Sequence, residues 1–288
     1  MERTSCGKDP RSLGWSRIGA PNTIGDMGIE IHDSDDHTGH QHSPRCWWDH
    51  AQGRWVCAET LAGPGDTREP TCPVDVRDMV VVHTALLREF RLAPDAVRRV
   101  PLNAGAQAAV IDRHLGLICD LLHHHHAAED ELLWPPLRAR LPQRALAHLD
   151  EAEAQHAGLD DALRRVATTR RDWVQRVDAE HSDALVDALK DVHHLLAEHL
   201  DAEERTLLPL AAACLTEDEW RAIGAAGAAS LPRAAMPLVF GMFAYEGDPE
   251  VVTTMLRHAP VLPRIVMPLL APHVYAHRAG QLYGTRQP

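Results

Sequence analysis

From Asp75 onward the apolar positions fall into a helical rhythm. Met79, Val82, Leu86 and Phe90 recur every three to four residues, one face of a helix that the pattern ends near Arg91. Beyond a loop with Pro94 and Pro101, a second helix is expected from about Ala104 to Trp134, where Pro135 and Pro136 disrupt it. A third runs from about Pro142 to Thr168, and a fourth from Asp183 to Leu208, before Pro209. Four such helices with modest connections predict an all-α, antiparallel up-down four-helix bundle over 75–212. Thr216 and Glu219 form a T-x-x-E capping box that opens a helix towards Ala222. Segments punctuated by Pro and Gly follow at about 233–245, 249–258 and 261–283, so 215–283 reads as a C-terminal helical extension. Residues 1–72 carry Gly, Pro, Asp, Ser and His without a period. They read as a largely disordered or irregular N-terminal extension.

Composition supports the helical reading. Hydrophobic residues make up 45% of the 288, yet there are only three Tyr and three Phe, whereas strands favour aromatic and β-branched residues. The formal charge of −12, with no concentrated Lys and Arg, removes nucleic acid from the expected partners. Six Cys without a CxxC support neither a zinc ribbon nor a thioredoxin-type site. Pro237, Pro263, Pro268 and Pro272 break the longest apolar stretches, so none is expected to span a bilayer, and no membrane partner is expected. With no apolar leader at the start, a reducing cytoplasm is the expected compartment. HExxH and Gly-rich phosphate loops are absent. The outlier is His, of which there are twenty, four of them consecutive at His123–His126.

Two helix ends repeat each other at an offset of 74 residues. His125 falls on His199, Glu129 on Glu203 and Pro135 on Pro209. Each copy is thus a His, a Glu four residues later and a Pro six residues after that. Four residues turn a helix by about 400°, so each His and its Glu share one face about one turn apart. Such a pair can reach one metal centre at about 2.0–2.2 Å. Two copies place two His and two carboxylates around a common point, which suits a pair of irons better than a single ion. His83, among Met79, Val82, Leu86 and Leu87, and His156, on the face of Leu149, Leu159 and Leu163, are the candidates from the other two helices. His126 points about 100° from His125, which ranks it behind the six, outside the centre or on the surface. His114 lies on the face of His125 but roughly 16 Å away, and is expected to make a polar contact within the bundle. Asp130 and Glu131 are candidates to orient imidazoles, and Arg88 to pair with such a carboxylate. A ferritin-like centre would need two E-x-x-H motifs. Only Glu153-Ala154-Gln155-His156 occurs.

These motifs resemble the hemerythrin-like HHE cation-binding domain, in the form common in actinobacterial proteins. The resemblance rests on Val82-His83, on His125-His126-x-x-Glu129-Asp130 running to Leu133-Trp134-Pro135, on Glu153-Ala154-Gln155-His156, and on Glu198-His199 running to Pro209. It covers about 75–212, and the stretch from Leu215 to about Tyr283 looks like that subgroup's C-terminal extension. It implies two non-haem irons held by His83, His125, Glu129, His156, His199 and Glu203, with the carboxylates bridging. Glu204, Glu153, His126 and Asp130 rank second. The sequence departs from the oxygen carriers of the family, which place two His one turn apart on the third helix; the position four before His156 is Ala152. Their last carboxylate comes five residues after the His, here Glu204, whereas the repeat favours Glu203. The resemblance implies binding or sensing of oxygen, nitric oxide or peroxide. Reduction of nitric oxide or disproportionation of peroxide at the same centre is the alternative, so enzymatic turnover stays open. A third reading is a helical interaction module, or an iron-sensing or storage protein, with a protein partner docked on the C-terminal extension.

Overall fold

A computed structural model describes residues 73–257 and 261–288, together with three short strands. β1 (Glu30–His32), β2 (Cys46–Asp49) and β3 (Arg54–Cys57) form an antiparallel sheet in the order β1-β3-β2. These strands have no counterpart in the expected irregular extension; the rest of that expectation lies outside the described residues.

Four long helices make the bundle: α1 (Arg77–Arg98), α2 (Gly105–Ala128), α4 (Leu146–Gln175) and α5 (Ala179–Ala202). α1 packs on α2 and α5, and α4 packs on the same two, so the four close a ring. Helix limits differ from the periodicity where packing overrides local signals. α1 runs through Pro94 because Ala93, Pro94, Ala96 and Val97 are all buried, which offsets the cost of about 3 kcal/mol for a Pro within a helix. α4 continues past Thr168 to bury Trp173. α5 starts earlier than expected, at a cap where the Asp178 carboxylate accepts the His181 backbone N–H.

The repeated helix ends are also alike in structure. α2 passes into a π-turn over Glu129–Leu133 and then into α3 (Trp134–Arg140), whose first turn takes up Pro135 and Pro136. α5 passes into a π-turn over Glu203–Leu207 and then into α6 (Leu208–Cys214), with Pro209 in the same place. A Pro in a first helical turn removes no hydrogen bond, so the chain stays helical past both prolines. π-turns of this kind concentrate at functional sites. Here each begins at the repeated Glu.

Two of the three apolar clusters line the bundle. One cluster, with Leu86, Phe90, Leu122, Leu159 and Leu196, fills most of the bundle. The other, with Met79, Leu133, Trp134, Leu149, Ala152 and Leu207, closes the end beneath α3 and α6. Each bundle helix therefore passes from one cluster to the other across a short interval. His83, His125, His156 and Glu203 lie in those intervals, with Glu129 and His199 directly beside them.

The extension comprises α7 (Glu217–Ser230), opened by the expected Thr216–Glu219 capping box, α8 (Met236–Glu246), α9 (Pro249–Met255) and α10 (Val261–Tyr283). α8 and α10 pair closely at Gly241, where a Cβ would run into the Ala271 carbonyl. They meet the bundle through apolar side chains of the first cluster, among them Leu238, Met242, Ala279 and Leu282, and through a polar node. Buried Glu89 of α1 accepts from Arg88 Nε (3.1 Å), Tyr275 Oη (2.7 Å) and Tyr283 Oη (2.6 Å), and bonds His114 Nε2 (2.9 Å). Arg88 also donates to the Met242 carbonyl (2.9 Å) and to Glu246 (3.1 Å) on α8. Arg88 thus serves this node and not a carboxylate of the His-rich centre, and His114 makes the polar contact expected of it.

Candidate metal centre

Seven buried side chains converge between the two apolar clusters. They form two groups whose potential donor atoms all lie within 4.8 Å of one another: His126, Glu129, His156 and His199, and His83, His125, Glu129 and Glu203. Donors about 2.1 Å from one ion stand up to about 4.2 Å apart, so each group closes on an ion with roughly half an ångström of movement.

Glu129 belongs to both groups. Its Oε1 stands 3.3 Å from His125 Nε2 and its Oε2 stands 3.4 Å from His156 Nε2. Glu203 also faces both sides, its Oε2 lying 3.6 Å from His83 Nε2 and 3.7 Å from His199 Nε2. Each carboxylate is thus flanked by imidazoles from different groups.

Three of the imidazoles are oriented by acceptors on their outer nitrogen. His83 Nδ1 bonds Glu204 (2.8 Å), His156 Nδ1 bonds Asp130 (2.8 Å) and His199 Nδ1 bonds the Gln155 carbonyl oxygen (3.0 Å). An acceptor on Nδ1 keeps the proton there and turns the Nε2 lone pair inward. The Nε2 atoms of His156 and His199 consequently face each other at 3.1 Å. Two lone pairs at that distance repel unless a proton or a metal cation lies between them.

Asp130 and Glu204 are themselves repeat mates, each directly after the bridging-type Glu. Each reaches across to the His of a neighbouring helix, α2 to α4 and α5 to α1. Their side chains are 51% and 31% exposed, so they sit where the centre approaches solvent.

The electrostatics describe a cluster that protein groups do not neutralise. Burial, then the Glu129 charge, pushes Glu203 up to about 8, and burial raises Glu129 as well. Burial holds His125 and His126 well below the usual imidazole range, reinforced by the surrounding His, and lowers His199 to about 3. Burial also opposes charge on His156, but Asp130 and Glu129 outweigh it and hold the group at about 9. His83 is likewise raised: burial acts against it, and Glu203 and Glu204 prevail. Among the described residues, both oxygens of Glu129 and of Glu203, both nitrogens of His126 and the Nε2 of His83 and His125 have no hydrogen-bond partner. Buried polar atoms without partners cost on the order of 1–3 kcal/mol each, and a bound cation removes that cost.

All six leading candidates meet in this centre. Of the second rank, His126 enters it, because adjacent residues on α2 fan out by about 100° and serve the two groups separately. Its ring stacks on His156, with centroids 4.1 Å apart. Asp130 and Glu204 bond imidazoles at the edge. Glu153 stays outside, about 60° around α4 from His156, exposed and bonded to Arg138 (2.8 Å). Glu131 is exposed and orients no imidazole. The pattern gave no signal for Gln155.

A helical bundle with His and Glu converging in its core is a metal-binding bundle. Its family is specific: residues 74–211 match the model of the hemerythrin HHE cation binding domain, so this part of the chain is a hemerythrin HHE cation-binding domain. Searches of curated proteins and of solved structures gave no match. Among the described residues, no helix is long and apolar enough to cross a membrane.

Proposed function

We propose that this domain holds two non-haem irons and uses them to bind or sense oxygen, nitric oxide or peroxide. The observation that supports a pair is Glu129, whose two oxygens face imidazoles of two different groups at 3.3 and 3.4 Å. On this reading His126, His156 and His199 would hold one iron, His83 and His125 the other, and Glu129 and Glu203 would be shared between them. Mixed imidazole and carboxylate donors suit iron, and no thiolate is present to favour zinc or copper(I). A fifth imidazole is thereby available from α2, although α4 carries Ala152 where oxygen carriers have a His.

Bound iron would supply a redox-active Lewis-acid position for a diatomic or peroxide ligand. The chain's own residues do the rest. Asp130, Glu204 and Gln155 hold the imidazoles in their donor orientation, and the two apolar clusters exclude water above and below. Anaerobic reconstitution with ferrous iron, followed by titration with oxygen, nitric oxide and peroxide, tests the reading. Two irons per chain and saturable changes in ligand-to-metal charge-transfer bands are expected. Substoichiometric iron without such bands would sink it. Steady-state consumption of nitric oxide or peroxide would instead identify an enzyme.

A further inference from the structure

We infer that the N-terminal half of α10 is a docking surface for anionic phospholipid. Among the described residues, six of the eight exposed large apolar side chains fall within ten positions there: Val261, Leu262, Ile265, Val266, Leu269 and Leu270. At about 100° per residue the six occupy one half of the helix circumference, with Leu262, Ile265 and Leu269 at its centre. These three are 72%, 61% and 72% exposed. On the opposite side Ala271 is buried and Met267 packs against it, in a cluster with Phe240 and Val81. The helix is therefore fixed to the protein along one side and bare along the other. A contiguous apolar face of this kind marks an interaction site.

Charge selects the occupant. Glu250 is the last acidic residue of the chain, so none of the 41 Asp and Glu lies between Val251 and Pro288. The same stretch carries Arg257, Arg264, Arg278 and Arg286. Exposed Arg264 reaches back to the Arg257 carbonyl (3.5 Å), which brings two cationic residues to one end of the apolar strip. A second copy seated on the same face would bring no carboxylate from this segment to answer these arginines. A coiled-coil helix needs only a narrow apolar seam, and this arc is far wider. A lipid surface matches both features: acyl chains accept a broad apolar face lying in the interface plane, and phosphates accept the guanidinium groups. The acidic remainder of the protein opposes approach, but at physiological salt its field is screened beyond about 8 Å. This contact is adsorption, without a spanning segment.

The test is co-sedimentation of the full chain with vesicles of phosphatidylcholine alone and of phosphatidylcholine mixed with phosphatidylglycerol. Binding to the mixed vesicles is expected, weakening as salt rises. Leu262→Ser with Leu269→Ser should reduce it at least about tenfold. Arg257→Glu with Arg264→Glu should give a further, salt-dependent loss, and both variants should keep the wild-type thermal midpoint. Absence of binding, or binding indifferent to the leucine changes, would overturn the assignment. So would a concentration-dependent dimer abolished by Leu269→Ser, which would give the face to a second copy. A drop in the thermal midpoint of the leucine variant would also overturn it, by showing that another part of the chain covers the strip.

Discussion

Two clusters of buried His and Glu share the α1 and α2 helices, about two turns apart on α1 and three on α2. In the node around Glu89, the carboxylate is met by Arg88, His114, Tyr275 and Tyr283. Burial alone would raise its pKa, but those hydrogen bonds and charges win and hold it at about 2. In the centre around Glu129, His and Glu meet again but without Arg or Tyr, and the outcome is opposite. Of nine buried side-chain nitrogen and oxygen atoms without a partner among the described residues, eight belong to that centre. The node is a nearly satisfied polar network, with His114 Nδ1 its one unpartnered atom among the described residues, and it helps tie α8 and α10 to the bundle. The centre is left far less complete, and a cation would supply the partner its atoms lack.

The comparison breaks most directly at Glu129. Because both groups share this residue, Glu129→Ala should reduce bound iron at both positions, with affinity falling by at least about 100-fold. Retention of two irons, read by metal analysis, would contradict the bridging role. At the node the same kind of change should act on stability. Glu89→Gln leaves Arg88 and His114 facing a neutral group and should cost on the order of 3 kcal/mol in urea unfolding, with iron content unchanged. The sign in pH follows from the depressed pKa. Glu89 contributes fully above its unfolded value of 4.5, and its contribution is lost as pH falls from there to about 2. The gap between wild type and Glu89→Gln should therefore close over that window.

Smaller effects sharpen the contrast. Asp130→Asn and Glu204→Gln keep shape but weaken the acceptors that orient His156 and His83. Each should lower iron affinity about 10- to 100-fold, measured by chelator competition, and the two should match because they are repeat mates. The smallest effect should have the reverse sign. In metal-free protein, Glu203→Gln removes the carboxylate pushed up to about 8 and should raise stability by about 1 kcal/mol above pH 8. The same change at Glu89 destabilises.

The repeat made much of this legible from residues alone. His125 with Glu129, and His199 with Glu203, could be paired because four residues bring side chains back to one helix face. Less visible was His126. A search for a single meeting point sets aside a residue 100° from His125, whereas two metal positions flanking α2 use both. Both π-turns were hidden because Pro135 and Pro209 look like terminators, and packing of Trp134, Leu137, Leu208 and Leu210 carries the helix past them. The Glu89 node escaped because its tyrosines lie 186 and 194 residues further along the chain, beyond any local pattern.

The central claim is that the centre is completed by two cations. Iron per chain, counted after anaerobic loading and removal of excess metal and paired with X-ray absorption to detect a short iron–iron vector, tests it most directly. The account predicts two irons with such a vector. One iron, or two without a mutual vector, would contradict it.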